Sequence, residues 1–397
     1  MGIEFEFTAD QEAFRSAART FVQKEIAPVV EEMDDKEEFP QKTVQRMREE
    51  GYFGIPIPEE YGGLGLGKVG YCIFLEELGK VDASHSAIVA AHTSLGASPI
   101  LYYGTEEQKQ RWLAPASRGE KLLAFSLTEP GSGSDSGAVQ TTAVKDGNDW
   151  IVNGNKIYVT NGREADTIVV LAGNDVKLGP SGGVTAFLID TKLSGFSIGR
   201  CEKKMGLHGT STAELILDHV RLGPECVLGE VGKGFHVAMT ALDVGRVSLG
   251  AASLGGMQAA CTQAMEFAKN RTQFGLPISE YEAIQFKLAD MAMKVHALRL
   301  MVYHAAAHQE RMGTDPKAWS RLERYGKTRE AAIVKCLGSE WASEVIDEAL
   351  QIHGGIGYIR GTPIERAYRD ARISEIFEGT NEIQRVVISR DILGRGL

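Results

Sequence analysis

Three segments of this sequence place chemically capable residues where a folded chain would expose them. The first is IFEGTNEI at 376–383, in which Glu378 stands between an aromatic residue and a glycine at a loop-to-helix junction. Apolar neighbours desolvate a carboxylate and raise its pKa, which suits a general base. A carboxylate held by the dipole of the helix that follows accounts for the same pattern. The second is FSLTEPGSGSDSG at 125–137, dominated by hydroxyls and small residues. Such a loop presents backbone N–H groups to a phosphate or a polar ring edge, or simply lies in solvent. The third is QIHGGIGY at 351–358, where Gly354-Gly355 either lets a ligand or a second chain approach closely or only caps a helix.

Other motifs lack the context their chemistry needs. Gly65-Leu-Gly67-Lys-Val-Gly70 matches G-x-G-x-x-G, but no strand precedes it and no βαβ unit surrounds it. The overlapping stretch from Gly62 to Lys68 resembles a phosphate loop but continues with Val69, which has no hydroxyl for a metal ion. His304 and His308 stand at i, i+4, yet Ala305 replaces the glutamate of H-E-x-x-H, so no metal site is expected. Gly209-Thr-Ser211-Thr-Ala213 falls short of a nucleophile elbow and reads as a turn between strands.

The elements that must position these residues fall into three textures. Residues 8 to about 120 read as helices, starting with a capping box at Thr8 and Gln11 and interrupted by a Pro/Gly-rich loop at 56–70. Helical patterns resume over 71–78, 87–103 and 106–113. From about 125 to 232 the pattern is β: two apolar runs around Asn153-Gly154 predict a hairpin, with further strands at 167–171, 184–189 and 213–217. No long helices separate them, which predicts an antiparallel sheet or barrel. After 235 the chain is helical again. Ser279 to Glu282 reads as a second capping box, and Ile284, Leu288, Met291, Val295, Leu298 and Val302 form one apolar stripe. Further helices are expected at about 316–352, after Thr362, and at 380–393. The predicted architecture is α+β: an N-terminal helical domain at 1–123, a middle β domain at 124–233 and a C-terminal four-helix bundle at 234–397.

Composition narrows the function classes. The chain has 397 residues and a net charge of −10, against the basic balance usual in nucleic-acid binders. Its apolar runs are too short to predict a membrane span. Its five cysteines are dispersed without a C-x-x-C pair. The opening MGIEFEFTADQEAF is acidic and carries neither a secretory nor a transit pattern, which predicts a bacterial cytoplasmic protein or a mature mitochondrial matrix form. Glycine is in excess, at 45 residues, and calls for tight turns or close approaches.

Taken together the motifs resemble the acyl-CoA dehydrogenases. The resemblance runs from about residue 7 to 393 and rests on LTEPGSGSD (127–135), KIYVTNG (156–162), EKKMG (202–206), NRTQFG (270–275), QIHGGIGY (351–358) and RDARISEIFEGTNEIQR (369–385). It implies FAD, a homotetramer or dimer, and α,β-dehydrogenation of an acyl-CoA thioester within fatty acid β-oxidation, with electrons passed to electron-transferring flavoprotein. On this resemblance Phe125, Leu127, Thr128, Gly133 and Ser134 belong to the flavin loop, with Ser134 also near CoA. Tyr158 and Thr160 flank the flavin, Tyr158 replacing a frequent Trp. Arg271, Phe274, Gln351, Gly354 and Gly355 contact FAD, partly from a neighbouring subunit, as do Thr380 and Glu382. Asp243, Arg246 and Gly379 lie near the acyl-CoA.

The resemblance also makes Glu378 the catalytic base. A minority of the family carries its base in the LDVGR segment, where this chain has Gly245. The expected chemistry is removal of the α-proton by Glu378 and hydride transfer to flavin N5. The Glu378 N–H and a ribityl hydroxyl would hold the thioester carbonyl. The rival expectations are a flavin-dependent monooxygenase or an acyl-CoA oxidase on the same fold, and a DNA-associated relative. The floor of the acyl pocket is expected at Thr93, Ser94, Leu95 and Ala97, small enough for a medium or long chain. EKKMG, NRTQFG and IFEGTN look most like the very-long-chain branch.

Overall fold

The computed structural model describes residues 6–313 and 324–394. Helix α1 (Ala9–Phe21) begins with the predicted capping box: the Thr8 hydroxyl accepts the Gln11 N–H, and the Gln11 side chain returns to the Thr8 N–H. Helix α2 (Gly67–Gly79) follows the Pro/Gly loop. Its first turn donates the Val69 N–H to the Glu310 carboxylate at 3.1 Å, and a Cβ on Gly67 would lie 2.6 Å from that carboxylate. The helix N-terminus that resembled a phosphate site is therefore filled by a carboxylate of the same chain.

The helix expected at 87–103 is three pieces. Helix α3 (Ala83–Ala90), capped by Asp82, runs into a π-helical segment, Ala91–Ala97, and then into Ser98–Tyr103. A π-helical turn widens the helix locally and often sits at a functional site.

The middle region holds eight strands: β1 (Leu123–Ser126), β2 (Thr142–Asp146), β3 (Asp149–Thr160), β4 (Thr167–Gly173), β5 (Val184–Asp190), β6 (Phe196–Cys201), β7 (Thr212–Leu222) and β8 (Val227–Leu228). They pair in the order β6-β7-β3-β2-β4-β5-β8, with β1 alongside β4. The sheet is mixed, because β4 pairs parallel with both β1 and β2, and it does not close into a barrel. The hairpin predicted at Asn153-Gly154 is absent. These residues lie inside β3, at a register shift against β7, and the turn falls between Asp146 and Asp149 instead. Gly154 has φ 151°, and a Cβ there would lie 2.5 Å from the Thr141 hydroxyl, so the glycine serves a bulge rather than a turn.

The C-terminal region is a bundle of α4 (Gly234–Asn270), α5 (Glu282–Arg311), α6 (Arg324–His353) and α8 (Asn381–Ile392), with the shorter α7 (Pro363–Ala371) beside it. The first residues of the helix expected at 316–352 lie outside the described residues. Met291, Leu298 and Val302 are buried, and Ile284, Leu288 and Val295 pack on the same core, as their spacing predicts. The second capping box does not form: Tyr281 occupies the cap of α5 without a side-chain bond, and Ser279 sits in a preceding 3₁₀ turn.

Part of the glycine excess is spent where α2 crosses α4. A Cβ on Gly255 would lie 2.1 Å from the Glu76 carbonyl oxygen, and one on Gly79 would lie 2.3 Å from that of Ala252. Helix α4 is long and apolar enough to cross a bilayer, although no single apolar run within it is long. Its most apolar window is 72% buried against the rest of the protein, as in a core helix.

Candidate active site

A cavity of about 1430 Å³ opens where the three regions meet. Strand β1 and the loop after it bring Phe125, Leu127, Thr128, Gly133 and Ser134 to its wall, and β3 brings Tyr158 and Thr160. Helix α4 contributes Asp243 and Arg246, and the turn before α8 contributes Glu378, Gly379 and Thr380. The sequence thus named these twelve residues from four separate segments, and the fold places them around one space.

A buried ion pair fixes the β1 loop. Lys156 donates from Nζ to the Leu127 carbonyl at 3.0 Å and to Glu129 at 2.7 Å. Glu129 also accepts the N–H groups of Gln140 and Thr141, at 2.6 and 3.0 Å. Burial pushes Lys156 down to about 8, against the pull of Glu129. Burial alone would raise the Glu129 carboxyl, but Lys156 and these donors hold it below its ordinary value. The loop is therefore clamped from inside, leaving its outer face for a ligand.

Two buried carboxyls line the cavity, Asp370, which accepts the Leu207 N–H and is pushed up to about 7 by burial, and Glu378, whose surroundings are the more strained. Its backbone is left-handed, with φ 56°, a conformation that L-residues adopt only at some cost. Arg246 and Gln384 impose it by donating to the Glu378 carbonyl at 3.5 and 3.1 Å, while Lys335 and Gln384 each donate to the Gly379 carbonyl at 2.8 Å. Tyr158 and Leu207, which also line the cavity, share the left-handed geometry at φ 59° and 51°. The Glu378 Oε2 is buried and has no hydrogen-bond partner among the described residues. Burial pushes the carboxyl up to about 7, opposed by Arg246 and Lys335. A group titrating there is a proton acceptor at neutral pH.

Gly245 lies directly against this carboxylate. A Cβ on Gly245 would stand 2.5 Å from the Glu378 Oε2. The two positions that could carry a base in the resembled family thus share one point in space, and any side chain at 245 would displace the Glu378 carboxylate from the place it holds here. Below it, Arg246 pairs with Asp243 at 2.8 Å, Thr328 donates to the Asp243 carboxylate at 2.6 Å and Gln309 donates to the Asp243 backbone carbonyl at 2.8 Å, so the pair is held in place.

The remaining predicted residues lie elsewhere. Arg271, Phe274, Gln351, Gly354, Gly355 and Glu382 are exposed and do not line the cavity. Phe274 is 95% exposed, and no atom lies within 4 Å of a Cβ built on Gly354 or Gly355. The ring of Phe267 stacks on His353 at 4.5 Å, tying the ends of α4 and α6 that carry two of these segments.

The expected pocket floor needs correcting. Thr93, Ser94 and Ala97 are buried away from the cavity: Thr93 donates to the Phe53 carbonyl, and Ser94 bonds Tyr71 and Ser248. Only Leu95 of the four lines the cavity, joined by Ala87, Ala90 and Ala91. The π-helical turn shifts the helix face, which a 3.6-residue period cannot anticipate.

Sequence reasoning missed Lys335, Gln384 and Ser126. The Ser126 hydroxyl lines the cavity, buried and without a partner among the described residues. The first two are buried polar residues inside helices, a pattern that marks them only once their partners are known. Elsewhere, His308 pairs with Glu330, the described cysteines are free, and no described group of His, Cys, Asp or Glu could hold a metal ion.

The cavity suits a flavin. It is large, mixed in polarity, edged by the open Gly133 and lined by the unsatisfied Ser126 hydroxyl. The comparisons with known proteins agree. Models of the acyl-CoA dehydrogenase N-terminal, middle and C-terminal domains match residues 8–120, 124–220 and 232–393. A 3-(aryl)acrylate reductase of Clostridium sporogenes is 43% identical over 98% of this chain and 99% of its own. Butyryl-CoA dehydrogenase from Megasphaera elsdenii superposes with a TM-score of 0.93 at 40% identity, over 98% of this chain and all of that one. A chain from the structure of electron transferring flavoprotein of Acidaminococcus fermentans does so with a TM-score of 0.93 at 43% identity and the same coverage. On the cavity, the full-length fold and the three matched domains, the chain belongs to the FAD-dependent acyl-CoA dehydrogenase family.

Proposed function

We propose that Glu378 abstracts the α-proton of a bound acyl-CoA thioester, which is then oxidised to the trans-2-enoyl-CoA. The observation that carries this is the unpartnered Oε2 of Glu378, buried in the cavity with its carboxyl pushed up to about 7. Bound FAD supplies the acceptor for the β-hydrogen and its electron pair. The chain's own residues do the rest. The β1 loop, with Tyr158 and Thr160, would hold the cofactor. Arg246 and Lys335 keep the turn at 378–379 in place and tune the carboxyl from its backbone side. The Glu378 N–H donates to no carbonyl in the surrounding turn and is free to receive the thioester oxygen as negative charge develops there. Asp243 and Arg246, locked together on α4, would position the CoA arm beside Ser134.

The exposed set at Arg271, Phe274, Gln351, Gly354 and Gly355 supports a further part of the reading. These residues complete the FAD site of a neighbouring copy in a homotetramer or dimer. Electrons then leave to electron-transferring flavoprotein past the half-open ring of Tyr158, 62% exposed at the cavity rim.

The test is Glu378→Gln. It should retain yellow, FAD-loaded protein and lose turnover about a thousandfold, within the range for removing a general base. Near wild-type turnover refutes the assignment. Reduced flavin that reacts quickly with oxygen and hydroxylates a substrate would move the chain to the monooxygenase class.

A further inference from the structure

The cavity continues well past the base. One face of α4 lines it from Phe235 to Gln263, and Gly245, against Glu378, lies partway along. Beyond that point the α4 residues lining the cavity are mostly small, including Ala252, Ser253, Gly256 and Ala260 beside Leu249, and end at Gln263. The opposite walls carry small residues too, Ala87, Ala90 and Ala91 from α3 and the π-helical turn and Ala367, Ala371 and Ser374 from α7 and its extension, beside the larger Ile346, Ile373, Arg366 and Asp370. From Gly245 to Gly256 the helix rises about 16 Å, and to Gln263 about 27 Å. An extended hydrocarbon advances about 1.25 Å per bond, from a C–C length near 1.5 Å and a near-tetrahedral angle. A butyryl chain would then reach about 4 Å beyond its carbonyl, and a hexadecanoyl chain about 19 Å.

We infer that the preferred substrate is a long, unbranched saturated acyl thioester of about twelve to sixteen carbons, its tail threaded between α3, α4 and α7. This deepens the dehydrogenase reading above and rests on it. A short chain would leave most of this channel filled only by water, and each further methylene buried against its aliphatic side chains is worth roughly fourfold in affinity. Small side chains on three walls are what an extended tail needs. A branched or aromatic acyl group would fill the width near Glu378 and leave the length unused. The inferred preference departs from the butyryl-CoA named for one solved relative and the arylacrylate named for another.

The test is anaerobic flavin bleaching and kcat/KM on the FAD-loaded protein with butyryl-, octanoyl-, dodecanoyl-, hexadecanoyl- and 3-phenylpropionyl-CoA. The expected result is at least a tenfold preference for dodecanoyl- or hexadecanoyl-CoA over butyryl-CoA. A maximum at butyryl-CoA, or at 3-phenylpropionyl-CoA, overturns the inference while leaving the dehydrogenase reading intact. No bleaching by any thioester overturns the dehydrogenase reading and this one with it.

A second measurement uses Gly256→Leu. A Cβ at Gly256 meets only the Gly79 carbonyl at 3.8 Å and the Ile346 methyl at 3.9 Å, so the position accepts a side chain. Leucine also favours the helix over glycine. The plug should lower the ratio of kcat/KM for hexadecanoyl-CoA to that for butyryl-CoA at least tenfold. An unchanged ratio in a folded, yellow variant means that the tail does not pass Gly256, and overturns the inference.

Discussion

Replacing Glu378 by glutamine should stabilise the protein at high pH while destroying its activity. The carboxyl ordinarily titrates at 4.5 and is pushed up to about 7 by burial. The folded state therefore binds a proton between these values that the unfolded chain releases, and stability falls as pH rises through the window. About 2.5 pH units at about 1.36 kcal/mol each makes at most about 3 kcal/mol of destabilisation above pH 7. Glutamine keeps the shape and removes the titration. Melting of the FAD-loaded wild type and Glu378→Gln should then coincide most closely near pH 4.5 and separate progressively up to about pH 8. By that pH the variant should melt a few degrees higher. A separation that does not grow between pH 5 and 8 would show that Glu378 is not desolvated in the folded state. The same titration governs the wild-type rate: kcat/KM should climb as pH rises to about 7 and then level, since only the ionised base accepts a proton.

Four further outcomes follow from the site. Lys335→Met removes a cation that holds the Glu378 carboxyl down, so the midpoint of the pH–rate profile should move upward; an unmoved midpoint would exclude Lys335 from tuning the base. Gly245→Ala drives a methyl against the Glu378 Oε2, and should lower kcat at least tenfold while FAD remains bound, read by steady-state kinetics and the flavin spectrum. Lys156→Met leaves Glu129 buried without its counter-ion, at a cost of about 3 kcal/mol or more, and should show as a lower melting temperature and faster FAD loss. Phe274→Asp should shift the sedimentation profile towards smaller species and weaken FAD retention, if the exposed set completes a neighbour's site.

Much of this was legible in the sequence, and the failures have identifiable causes. The segment around Glu378 alone left a base and a helix-dipole carboxylate equally open, and it was the resemblance that singled the residue out; the fold adds that it is buried, left-handed and without a partner at Oε2 among the described residues. The amphipathic stripe on α5 was readable because burial on one face imposes a 3.6-residue period. The pocket floor was not, because it was expected by position alone, and only the fold shows Thr93 and Ser94 turned to Phe53, Tyr71 and Ser248 while Ala87, Ala90, Ala91 and Leu95 line the cavity. Asn153-Gly154 misled because a glycine that relieves a bulge has the same local signature as one that makes a turn; only the partner strand distinguishes them. Lys335 and Gln384 were invisible for a different reason: their value lies in carbonyls 44 and 6 residues away along the chain.

Helix α4 also sets a problem for the chain as it is made. Its apolar surface is buried largely against α6, which leaves the ribosome only after about 80 more residues, or several seconds at usual rates of synthesis. During that interval the emerging chain presents a stretch long and apolar enough to pass for a membrane span, covered only by the elements already made, among them α2, the π-helical turn and β5. The helix that lines the whole length of the site is thus the segment most exposed to aggregation or to capture by chaperones during synthesis. Slowing translation downstream of Asn270 should lower the yield of soluble protein more than slowing it upstream of Gly234.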